Sequence, residues 1–187
     1  MSRSLLIVSL LVALSLATVS AQAEDRLPFN ATFSGTFVTT PFELNGDGTP
    51  SDLNLLEGKS NFGQFSLHVL NKSVRGPEAI CPNGQPGFSI MLLVGSSVFR
   101  FRHSGDLLFV RATSETTCFD PSIGVSFFHT ATGEIFGGTG KFANATGVIE
   151  GEGTAQVLLA DQAGHAFGAQ HGTITGTIIL PPRTEQN

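Results

Sequence analysis

The chain of 187 residues has no tryptophan, no tyrosine, two methionines and two cysteines. Without Trp and Tyr it lacks the rings that stack on sugars or bases while hydrogen-bonding at their polar tip. Its basic residues, among them Lys59, Lys72, Arg75, Arg100, Arg102, Arg111 and Lys141, form no stripe. No electrostatic track for nucleic acid follows from such scatter. The formal charge of −5 favours solubility and names no partner. No Gly-x-Ser-x-Gly elbow is present, so an esterase-type nucleophile has no support. Beyond the N-terminal stretch, no apolar run is long enough for a membrane helix, and helical periodicity is absent.

That first stretch reads "MSRSLLIVSLLVALSLATVSAQA". Arg3 supplies the positive start, Leu5 to Val19 the apolar centre and Ala21-Gln22-Ala23 a small-residue cleavage site, which predicts a secretory signal peptide over residues 1–23. One domain over 24–180 and a flexible tail over 181–187 complete the division. The expected localisation is secreted or periplasmic, with no membrane association after cleavage. Cys81 and Cys118 both lie in the exported part. An even count in an oxidising compartment predicts a disulfide between them.

What the chain does have is 16 phenylalanines and 22 glycines. Alternation at period two recurs. Phe29, Ala31, Phe33, Gly35 and Phe37 share one face of "FNATFSGTFVT"; Phe65, Leu67 and Val69 share one in "FGQFSLHVL"; Phe99 and Phe101 oppose Arg100 and Arg102. The remaining segments, "DLLFVRAT", "GVSFFHT", "GVIEGEGTAQVLLA" and "GAQHGTITGTIIL", complete eight to ten half-buried strands at the spacing of a sandwich or barrel. The fold class is therefore all-β.

The run "IFGGTGKFANATG" poses a choice between a phosphate-cradling loop and a turn. A phosphate loop needs Gly six positions before its Lys, a hydroxyl after it and a helix beyond. Here Ile135 occupies the first place, Phe142 the second, and the glycine-dense continuation opposes a helix. The run is read as a turn. "GEIFGGTGKFANATGVIEGEGT" resembles the G-G-T-G-x-F-x-x-A-x-G stretch of dirigent proteins and the related allene oxide cyclases, matched by Gly137, Gly138, Thr139, Gly140, Phe142, Ala145 and Gly147. "EGKSNFGQFS" is similar to a strand of bacterial secreted members. The resemblance implies a single-domain, eight-stranded antiparallel β-barrel, with Gly137, Gly138, Gly140 and Gly147 as structural turn residues. It also implies a small hydrophobic ligand inside the barrel, and if the chain is an enzyme, a cofactor-free cyclase or isomerase; a homo-oligomer would fit the family. The alternative is a non-catalytic extracellular or periplasmic carrier or structural barrel.

For the ligand site, the shared faces propose Phe65, Phe109 and Phe127 as apolar lining. Arg111, on the face of Phe109, and His129, on that of Phe127, are candidates for the polar end of a lipid- or terpenoid-like ligand. No catalytic residue is assigned, and no cofactor or metal is predicted. The alternative to the latter is "ELNGDGTPSDLN", where Glu43, Asn45 and Asp47 echo a calcium loop. Against it stand Asn54 at the twelfth position, where a bidentate Glu is expected, and Pro50. Asn-Gly and Asp-Gly turns explain the segment more simply. His68, His103, His165 and His171 have no Cys or carboxylate at metal spacing.

Overall fold

The structure is a computed structural model that describes residues 24–40, 51–162 and 165–182. The signal-peptide stretch 1–23, the calcium-like residues Glu43, Asn45 and Asp47, and residues 183–187 of the tail lie outside the described residues.

Eight strands follow one another: β1 (Asp25–Thr40), β2 (Ser51–Ser60), β3 (Gly63–Ile80), β4 (Pro86–Phe101), β5 (Leu107–Asp120), β6 (Val125–Gly138), β7 (Thr146–Ala160) and β8 (Ala166–Leu180). Each pairs antiparallel with the next, and β1 pairs with β8 from Asp25↔Leu180 to Thr39↔Ala166, so the sheet closes into a barrel in chain order. Closure leaves no unpaired edge. This is the eight-stranded antiparallel barrel expected from the turn motif and the alternating faces.

One end of the barrel is packed solid. Phe29, Phe65, Phe99, Phe101 and Phe142 are fully buried with Leu108, Ile135 and Ile178. Their rings meet edge-on or tilted: Phe29 and Phe99 at 5.7 Å between centroids, Phe65 and Phe99 at 5.2 Å, Phe101 and Phe142 at 4.8 Å. These separations lie in the favourable range for aromatic pairs. Phe62, from the β2–β3 turn, closes over Phe142 at 5.8 Å. Lys141 caps the stack from outside, its Nζ 4.9 Å from the Phe142 ring centroid and 5.2 Å from those of Phe62 and Phe101.

The glycine-rich run lies at this closed end. β6 ends at Gly138, a single 3-10 turn spans Gly140–Phe142, and β7 starts at Thr146. Gly140 has φ +56°, which L side chains adopt reluctantly. A Cβ on Gly138 would stand 2.2 Å from the Leu107 carbonyl oxygen. The turn needs the first glycine for its dihedral and the second for close strand approach, and it delivers Phe142 to the core.

The disulfide joins Cys81 to Cys118 with 5.5 Å between Cα atoms. Beside it, Asp120 is fully buried. Its carboxylate accepts bonds from the Ser122 backbone N–H at 2.9 Å, the Ser122 hydroxyl at 2.6 Å and Asn83 Nδ2 at 2.8 Å. The Ser122 hydroxyl, followed by Asn83, holds this carboxyl below its ordinary range. The β3–β4 and β5–β6 turns are thus tied together at the end opposite the aromatic plug.

Three expected inward positions are corrected by the register. Both faces of "DLLFVRAT" are apolar, so its own sequence does not choose between them. β4 chooses: Phe99 pairs with Leu108 and Val98 with Phe109. Because Phe99 is inside, Leu108 and Val110 are inside, and Phe109 and Arg111 are outside. Arg111 is an exposed residue whose guanidinium bonds Glu134 at 2.9 Å, and Phe109 stacks on exposed Phe136 at 6.0 Å. Phe127 likewise pairs with Cys118, whereas its neighbour Ser126 pairs with the cavity residue Phe119. Phe127 therefore takes the outer face and Phe128 the inner.

Candidate functional site

Above the plug lies a cavity of about 510 Å³, within the range of small-molecule sites. Its floor is set by Phe33, Phe99, Leu56 and Ile174, and it extends to the strand ends at Thr39, Asp52, Phe88, Phe119 and Ala166. Phe65, fully buried, belongs to the plug below and does not line it. Phe33 stacks on Phe128 at 6.3 Å across the interior. Phe37 fits because β8 carries Gly168 beside it; a Cβ there would stand 2.2 Å from the Phe37 ring.

The lining is divided by strand. β1 and β6 to β8 contribute mainly apolar or small groups, including Phe37, Phe128, Ala155 and Val157. β2, β3 and β5 contribute Asp52, Asn54, Asn71, Ser73, Glu115 and Thr117. Asp52 accepts bonds from the Thr39 hydroxyl at 2.5 Å and the Ser73 hydroxyl at 3.2 Å. Glu115 accepts one from the Thr117 hydroxyl at 2.6 Å. Gln170 Nε2 donates to Asn54 Oδ1 at 2.8 Å, joining β8 to β2 across β1.

Burial raises the pKa of both carboxyls from their ordinary values. The hydroxyl bonds from Thr39 and Ser73 offset part of this for Asp52. The Thr117 bond does so for Glu115, while the charge of Asp52 adds to its rise. In both carboxyls burial favours the protonated acid over the carboxylate, so two groups able to give or take a proton face one largely apolar chamber. Such a pair can donate a proton at one atom of a ligand and accept one at another.

Of the sequence-predicted ligand residues, none lines this cavity by its described side chain: Phe65 lies below it, and Arg111, Phe109 and Phe127 lie outside. The side chain of His129 is outside the described residues. Asp52 and Glu115 were the groups that sequence reasoning missed. Among the described residues, no group of three or more His, Cys, Asp or Glu side chains is placed to hold a metal, and no helix is long and apolar enough to cross a membrane.

Among solved structures, that of a pterocarpan synthase dirigent protein is similar to this chain, with a TM-score of 0.42 and 15% identity over 88% of this chain and 89% of that one. No protein-family model matches the chain, and no curated protein does.

Proposed function

We propose that the barrel binds a small, largely apolar molecule in the cavity above its aromatic plug, and that Asp52 and Glu115 steer a cyclisation or isomerisation of it by proton transfer. The observation that carries this reading is the pair of carboxyls facing one apolar chamber, both raised by burial and Glu115 further raised by Asp52. A barrel evolved for packing alone gains nothing from two buried acids. The acid form of one carboxyl protonates the ligand, and the carboxylate of the other removes a proton elsewhere on it. The proton count closes without a cofactor. The disulfide supports an exported site of action.

The test begins with protein purified without detergent, whose bound molecule is extracted and identified by mass spectrometry. That molecule is returned to ligand-free wild type and to an Asp52→Asn, Glu115→Gln double variant. Conversion to an isomer of equal mass by wild type alone is the expected result. Equal binding with no conversion by either protein leaves a carrier and removes the acid–base roles. A sugar or nucleotide as the tight ligand, with no affinity for hydrophobes, refutes the reading outright.

A further inference from the structure

We infer that the cavity selects a lipophilic amine, its protonated nitrogen held between Asp52 and Glu115 and its apolar body lying along Phe33, Phe37 and Phe128. This rests on the cavity being the binding site and adds the chemical class of the ligand.

Two independent features of the chamber lead there. The first is its charge. Two carboxyls face the interior, and among the described residues no Lys, Arg or His lines it. The described cations nearby are not among the lining residues. Arg75 lies over the Phe88 ring, 4.0 Å from its centroid, outside the lining. Lys72 is buried between the lining residues Asn71 and Ser73 and is not itself among the lining residues. Arg111 pairs with Glu134 on the outer surface.

The second feature is the direction of the hydrogen bonds. The hydroxyl protons of Thr39, Ser73 and Thr117 are already given to the two carboxyls. At the acids themselves this leaves acceptor capacity, and Asn71 Oδ1 beside them is buried without a partner; the donors this wall keeps are the amide N–H groups of Asn54 and Asn71. A carboxylate ligand would meet like charge and no basic partner. A neutral alcohol supplies one donor. An ammonium supplies three donors and a positive charge, and it offsets the desolvation of a buried carboxylate. The opposite wall is mainly apolar, with Phe37, Phe128, Ala155 and Val157, and suits the apolar body of the ligand; its polar groups are Ser126, Thr132 and Gln170.

The experiment is isothermal titration of the whole protein with three probes of equal chain length: octylammonium, octanol and octanoate. We expect octylammonium to bind about ten-fold or more tightly than octanol, the equivalent of one charge-assisted contact, with octanoate weakest. In the Asp52→Asn, Glu115→Gln double variant the ammonium advantage over octanol should fall to within about three-fold. A cooperative calorimetric melt certifies that the variant is folded. Octanoate binding as tightly as octylammonium overturns the inference, as does an ammonium preference that survives in the double variant, which would place its source on the outer surface. If octanol binds without any ammonium preference, the cavity reading stands and this inference falls. If no probe binds, both fall.

Discussion

Replacing Cys81 and Cys118 together by alanine tests how the far end of the barrel is held. The two residues are 37 positions apart, and a bridge over a loop of that length restricts the unfolded chain by about 4 kcal/mol in the chain-entropy treatment. The folded state has little reason to change. β3 and β4 still pair up to Ile80↔Pro86, β4 and β5 up to Phe88↔Phe119, and the Asn83–Asp120 bond continues to join the two turns. The loss should therefore appear as a lower melting temperature, by roughly 8–16 °C for a domain of this size, with the native spectrum intact. Calorimetry on the variant and on wild type, under matched conditions, reads it directly. A shift of less than about 2 °C would refute the reasoning, because it would mean that the unfolded chain is already compact around this loop. A ligand affinity unchanged by the substitution would further show that the paired strands, rather than the bridge, shape the cavity.

Gly138→Ala should destabilise by about 1–3 kcal/mol through contact with a backbone oxygen, and Gly140→Ala by about 1 kcal/mol through its positive φ; chemical denaturation measures both, and wild-type stability in the two variants together would refute the turn assignment. The Asp52→Asn, Glu115→Gln variant should be more stable than wild type at pH 7, by about 0.5–2 kcal/mol, as expected when a buried charge is removed. The sign follows from the raised folded pKa values: their contribution to stability is complete below the unfolded values of 3.8 and 4.5 and is lost as pH rises through the folded ones. The difference should therefore vanish on acidification below about pH 4, and a difference independent of pH contradicts the burial of these charges.

The closed half of the barrel was legible because its residues obey the burial rule strand by strand. Phe29, Ala31 and Phe33 on β1, Phe65 and Leu67 on β3, and Phe99 and Phe101 on β4 are apolar on one face and polar on the other, and each is buried. β5 was ambiguous because Leu107 and Phe109 compete with Leu108 and Val110, and only the pairing partner decides. The site was illegible for two physical reasons. On β2 the pattern is inverted, with Asp52 and Asn54 inside while Leu53 and Leu55 are 43% and 48% exposed. On β5 an irregularity between Ala112 and Ser114 resets the alternation. Ala112 and Glu115, three apart and so expected on opposite faces, both face the cavity.

These departures fall in one half of the molecule, and that distribution bears on the functional reading. A chain that packs leucine outward and aspartate inward on the same strand gives up transfer free energy on both faces. The plug, with its five fully buried phenylalanines, can sustain that loss because it lies on the same eight strands and closes them independently of what the upper interior contains. Local sequence and global fold agree where stability is made and disagree where the carboxyls stand, which is the pattern that the proposed site predicts. It follows that polar-to-apolar changes at Asp52 or Glu115 should be tolerated by the fold, whereas the same change of character imposed on the plug, from Phe to Asn, should abolish it.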